Sequence, residues 1–213
     1  MISSKHRPQS NTVTFQLLPH QAAPAWEIAL LFPPQGQWSQ RDYLRLTDST
    51  NQLVEYTSGW IEILPMPTQK HQDILAYLFA IFQRLMALTG GKAYFAPLRL
   101  FISPDRYREP DILLLLDKHD PRRTEQFWQG ADLVVEVVSP DAPERDWVQK
   151  RADYALASIP EYWIVDPQQQ CIVVLRLDGD QYTEHGRFER GQLAQSALLP
   201  QLLADVSAVL DAE

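Results

Sequence analysis

Two consecutive apolar runs, each interrupted by one acidic residue, constrain this chain more than any other feature. The first is Pro110-Asp111-Ile112-Leu113-Leu114-Leu115-Leu116. The second is Leu133-Val134-Val135-Glu136-Val137-Val138-Ser139-Pro140. Both are β-branched and aliphatic, are bounded by Pro, Asp or Ser, and predict buried strands. A carboxylate in such a strand is costly unless it is paired or holds a metal. Two carboxylates on neighbouring strands repel each other, and a divalent cation relieves that repulsion. The pattern therefore predicts a hard-metal site for an ion such as Mg²⁺. Two blander readings compete with it. Asp111 could cap a turn after Pro110, and Glu136 could form a structural ion pair with an arginine such as Arg99.

The remaining pattern frames these strands. Ser39, with Asp42 three residues on, predicts a capped helix start. Residues 52–56 and 60–64 alternate around Gly59 as a hairpin. Thr68 caps a long helix reaching about Leu88, with Ile74, Leu75, Leu78, Phe79, Phe82, Leu85 and Met86 at helical spacing. Thr89-Gly90-Gly91 ends it. One strand is expected over residues 93–102, then the Asp111 strand, a polar connection over 117–130 and the Glu136 strand. A second helix follows over 144–158, then strands over 162–165 and 171–177. After a turn at Asp178-Gly179-Asp180, residues 182–185 continue the sheet. Residues 198–203 read as a short helix or loop, and 206–210 as strand-like. This order predicts an α/β fold with a mixed sheet flanked by helices.

The 213 residues, 45% apolar and 22% charged, suit one globular domain. It is expected over 38–213, after an N-terminal extension over 1–37. The apolar stretch 25–32 of that extension would pack on the domain or on a partner subunit. A net charge of −8 argues against strong non-specific nucleic-acid binding, which needs clustered Lys and Arg. It leaves room for an enzyme that grips nucleic acid weakly through a metal. The lone Cys171 excludes an internal disulfide and a cysteine-based zinc cluster, which fits a reducing, cytoplasmic compartment. Residues 1–11 lack the apolar core of a secretory signal, and no apolar run approaches the roughly 18 residues of a membrane span.

An ordered set of pieces points further. These are Glu55 with Gly59, Pro67 with His71, Pro110-Asp111, the Glu136 strand, Asp146 with Lys150 and Tyr154, and Glu161-Tyr162-Trp163-Ile164-Val165-Asp166-Pro167. Together they resemble a bacterial family of restriction-endonuclease-like proteins in the PD-(D/E)XK nuclease superfamily, over roughly residues 38–205. The resemblance implies a metal-dependent endonuclease acting on DNA. Asp111, Glu136 and the carbonyl of Val137 would hold Mg²⁺ or Mn²⁺, polarising the phosphate and activating a water. A lysine would orient that water or stabilise developing charge. Here the chain departs from the superfamily: Val138 stands where the lysine is usual, and the resemblance moves that role to Lys150. It also implies a homodimer, whose two sites would cut both strands.

Residue chemistry alone reads several of these positions otherwise. Asp146, Lys150 and Tyr154 lie within about 80° of one helix face. Val148, Ala152, Ala155 and Leu156 lie opposite. Periodicity therefore favours a solvated Asp–Lys pair worth roughly 0.3–0.5 kcal/mol. His71 opens an apolar helical stripe, as a packed core histidine would, whereas the resemblance implies a residue that supports the metal ligands or contacts phosphate at the cleft. Glu55 is either a third acid near the metal or a sheet-edge charge. Tyr154 either bonds a site carboxylate or only packs, and Tyr162 and Trp163 read as core. Arg99, Arg106, Arg108, Arg122 and Arg123 could contact phosphates. The interspersed Asp105, Glu109, Asp117 and Asp120 favour an ordinary polar loop. Two other functions remain open: a catalytically silent member acting as a DNA-associated or interaction module, and a hydrolase of a non-nucleic phosphate.

Overall fold

A six-stranded mixed sheet organises the computed structural model, which describes residues 31–213. The chain enters through α1 (Gln40–Thr47) and the hairpin β1 (Val54–Thr57) and β2 (Trp60–Ile63). Next come α2 (Gln69–Thr89), β3 (Lys92–Phe95), β4 (Leu100–Ser103), β5 (Arg106–Arg108), β6 (Ile112–Leu115) and β7 (Leu133–Val137). A π-helical turn (Arg145–Lys150) runs into α3 (Arg151–Leu156). The chain closes with β8 (Glu161–Asp166), β9 (Cys171–Asp178), β10 (Gln181–Glu189), β11 (Leu193–Gln195), β12 (Leu203–Asp205) and α4 (Val206–Leu210). The main sheet has the order β10-β9-β8-β7-β6-β3, and only its β7–β8 pair is parallel. A second sheet has the order β2-β1-β5-β4, and β11 pairs with β12.

Local chemistry explains most of the boundaries. Ser39 and Asp42 form a reciprocal capping box at α1. Thr68 accepts the His71 N–H to start α2, and Gly90, at φ 87°, ends it. The β1–β2 turn places Ser58 and Gly59 both at positive φ, as a tight hairpin demands. A side chain at Gly59 would also come 2.6 Å from the Gly36 carbonyl.

Two expectations need correction, and one strand was not anticipated. Residues 93–102 form two strands in two different sheets, because Pro97 has no N–H to continue the ladder. Residues 206–210 are helical: Asp205 caps the Ala208 N–H, and Val206, Val209 and Leu210 share a buried face at helical spacing. Arg106-Tyr107-Arg108 is a strand, which its charges concealed. The apolar stretch 25–32 falls outside the described residues except for Leu31 and Phe32. The compact unit itself runs Pro34–Glu213.

The main sheet has an apolar core on each face. Leu133, Val135 and Val137 of β7 meet Ile74, Leu78 and Phe82 of α2. Val134 and Val138 point the other way, toward Tyr154 and Tyr162. Glu136 belongs to this second face. Tyr43, Val54, Tyr56 and Tyr107 make a third core under the smaller sheet.

Candidate active site

The β6–β7 register sets the geometry. Leu114 pairs with Leu133, Leu113 with Val134 and Ile112 with Val135. Extended by one step, this register would set Asp111 against Glu136, but the paired residues end at Ile112 and Val135. The backbone ladder stops there. Instead, the Asp111 Oδ2 accepts the Val137 N–H at 2.7 Å and lies 3.1 Å from His71 Nε2. Asp111 and Glu136 line one cavity of about 260 Å³, together with Val137, His71, Asp146 and Lys150.

Lys150 is buried in this cavity wall. Its Nζ lies 2.8 Å from Glu136 Oε2, 3.1 Å from Asp146 Oδ1 and 3.9 Å from Glu55 Oε1. The Tyr154 hydroxyl donates to Glu136 Oε1. The expected solvated face is therefore reversed: Asp146, Lys150 and Tyr154 are buried, while Val148 and Leu156 are each 62% exposed. The cause is electrostatic. Burial alone would strip the proton from Lys150, but the charges of Glu136, Asp146, Glu55 and Asp111 hold it on well above the ordinary range. Burial pushes the Glu136 carboxyl up strongly, opposed by Lys150 and reinforced by Asp111 and Asp146. Asp146 is raised for the same first reason. Burial would lower the His71 imidazole, but the hydrogen bond and charge of Asp111 outweigh it and hold it above its usual value.

Glu55 does not line the cavity, and it is no sheet-edge charge, since β1 lies between β2 and β5. It sits buried behind Lys150 and accepts from Arg108 at 3.2 Å and from the Glu109 N–H at 3.3 Å. Arg108 also grips Asp153 at 2.6 Å, and Arg106 joins the same carboxylate. Arg99 turns away to Asp48 and Thr47, so the alternative of a Glu136–Arg99 pair is excluded. Arg122 binds Asp120 and Asp132. Four of the five clustered arginines are thus tied to carboxylates. Tyr162 and Trp163 are fully buried, as expected.

Sequence reasoning missed Glu109, which it counted as a loop acid. Glu109 is buried, lines the cavity and leaves its Oε2 without a partner. Burial pushes its carboxyl up to about 7. Its place two residues from buried Tyr107, in strand alternation, was the available signal.

The donor set fits a hard cation. Four carboxyl groups line the cavity, Glu109, Asp111, Glu136 and Asp146, against the cations Lys150 and Arg145, and Arg145 is already paired with Glu62. The cavity wall therefore holds more carboxyl groups than cations. Two carboxylates and the Val137 carbonyl are oxygen donors, the kind Mg²⁺ and Mn²⁺ accept. Among the described residues, no three His, Cys, Asp or Glu side chains converge as a ready cage. Mg²⁺ needs none, because it keeps waters and takes only one or two carboxylates.

Comparison with known proteins adds the family. The description "Putative restriction endonuclease" belongs to a family model that matches residues 40–207. Among curated proteins no sequence matches significantly. A solved structure from Anabaena variabilis, described as a putative nuclease belonging to DUF820, superposes with a TM-score of 0.68 at 22% identity. The match covers 81% of this chain and 97% of that one, and it shows a shared fold. No helix among the described residues is long and apolar enough to cross a membrane. With more than half its length matched, this chain belongs to the family described as "Putative restriction endonuclease".

Proposed function

We propose that the chain is a metal-dependent endonuclease that hydrolyses DNA phosphodiesters at the Asp111–Glu136 cavity. The observation that carries this reading is the single cavity that Asp111, Glu136 and Lys150 all line, with the Lys150 ammonium 2.8 Å from Glu136. A Mg²⁺ or Mn²⁺ held by Asp111, Glu136 and the Val137 carbonyl would polarise the phosphate and acidify an attacking water. The chain's own groups do the rest. His71 and the Val137 N–H fix the Asp111 carboxylate. Tyr154 fixes Glu136. Lys150, held by Glu136 and Asp146, donates to the attacking oxygen or to the phosphate as charge develops. Glu55 keeps Lys150 charged and anchors Arg108 beneath it. A homodimer would present two such cavities, one for each strand, and sedimentation of the purified protein tests that part.

Plasmid and single-strand cleavage with Mg²⁺ and Mn²⁺ tests the assignment, comparing the wild type with Asp111→Asn, Glu136→Gln and Lys150→Ala. Cleavage by the wild type and its loss, by 10²-fold or more, in the carboxylate variants is the expected result. Folded wild type that cleaves neither DNA nor RNA would refute it and favour a silent binding module. Hydrolysis of small phosphodiesters alone would favour a non-nucleic substrate.

A further inference from the structure

A second cavity, of about 570 Å³, adjoins the first, and Pro97 lines both. Its chemistry is opposite. Lys118 and Arg123 line it, and Lys92 stands 5.0 Å over the ring of Tyr94, another lining residue. None of these three cations is in an ion pair among the described residues. Around the acidic cavity, by contrast, Arg106, Arg108, Arg145 and Lys150 are all paired with carboxylates. Two acids face the same space. Asp120 is already clamped by Arg122, which leaves Glu125. Arg123 is built in: its guanidinium lies 5.9 Å from the Tyr94 ring and 6.0 Å from that of Trp128. One Nη donates to the Lys118 carbonyl, and its buried Nε has no partner. A buried N–H without an acceptor is costly. The faces of Tyr94 are engaged by cations, so the ring positions Arg123 and is no stacking platform for a base.

We propose that this second cavity is a phosphate subsite, in which Arg123 and Lys118 hold the polynucleotide backbone beside the scissile phosphate. The guanidinium offers the Nη that the Lys118 carbonyl leaves free, its buried Nε holds no competing carboxylate, and Lys118 adds a point charge. This rests on the nuclease reading for its substrate. It also explains how a chain of net charge −8 can retain a polyanion next to an acidic cavity. The backbone is gripped at a basic cavity next door, and the cation supplies the attraction at the acids.

Fluorescence anisotropy of a labelled oligonucleotide in EDTA, titrated from 50 to 200 mM salt, tests the subsite without cleavage. Arg123→Gln and Lys118→Gln should each weaken binding roughly three- to tenfold and reduce the salt slope by about one. The Lys118 side chain makes no hydrogen bond or ion pair among the described residues, so its variant guards against misfolding of the loop. Arg84→Gln, on α2 away from both cavities, should bind as the wild type does. Unchanged binding in both lysine and arginine variants, or no oligonucleotide binding by the wild type, overturns the proposal. So does a mononucleotide or inorganic phosphate that binds as tightly as the oligonucleotide, since the site would then serve free phosphates. Arg123-dependent binding by a wild type that cleaves nothing with Mg²⁺ supports the subsite while refuting the nuclease reading. Cleavage by a wild type whose binding ignores both residues does the reverse.

Discussion

Glu109→Gln should make the protein more stable at pH 8 and leave it nearly unchanged at pH 5. The carboxyl is 5% exposed and one of its oxygens has no partner. Burial raises it from the ordinary 4.5 to about 7, and the charge of Glu55 adds to that rise. The folded chain therefore holds this proton more tightly than the unfolded chain. Its contribution is fully present below pH 4.5 and is lost as pH rises through 7. That gap corresponds to about 3 kcal/mol of stability missing at pH 8. Glutamine keeps the shape and cannot ionise. Urea unfolding in EDTA, which removes any bound cation, would measure the difference at each pH. Between pH 5 and pH 8 the advantage of the variant should grow by roughly 2–3 kcal/mol, or about 1 M in urea midpoint. A difference that does not vary with pH would refute the reasoning. It would mean that Glu109 is already ionised and compensated in the fold.

Other perturbations have equally definite outcomes. Lys150→Met strips Glu136 and Asp146 of their cation and should cost about 3–5 kcal/mol at pH 8, less at pH 5 where the acids can take up protons; urea unfolding reads both. Tyr154→Phe leaves Glu136 Oε1 without its donor and should cost about 1–3 kcal/mol, with reduced cleavage if the carboxylate then turns. Phe82, buried between α2 and Trp163 with ring centroids 5.7 Å apart, should cost about 3–5 kcal/mol as Phe82→Ala by thermal or urea unfolding, whatever the function.

The fold was legible wherever one chemistry dominated a segment. The Ser39 and Thr68 caps, the Ile74–Met86 stripe and the apolar runs of β6, β7, β8 and β9 each have a single local solution. That Asp111 and Glu136 line one cavity follows from two short strands in sequence. What escaped were segments whose burial depends on distant partners. Arg106-Tyr107-Arg108 is a strand only because Asp153 and Glu55 neutralise it from elsewhere. The 144–158 helix shows an ordinary amphipathic pattern, yet it buries its polar side. Hydrophobic periodicity ranks residues by their own transfer cost, and it cannot see a cavity that already holds opposite charge.

That inversion bears on function as well as on prediction. A helix that exposes Val148 and Leu156 while burying Asp146 and Lys150 gives up apolar burial and desolvates charge. Structural need alone does not require this, since apolar residues of similar volume commonly replace a buried ion pair at no loss. The π-helical turn makes the same point, because such turns are rare and gather at functional sites. Together the turn and the inversion hold an ammonium group against Glu136, at the cavity that Asp111 also lines. A lysine two residues after Glu136 on β7 would point to the same face as Glu136, where Val138 now packs in the core. Supplying the amine from the helix keeps that core closed and still delivers a cation to the carboxylates.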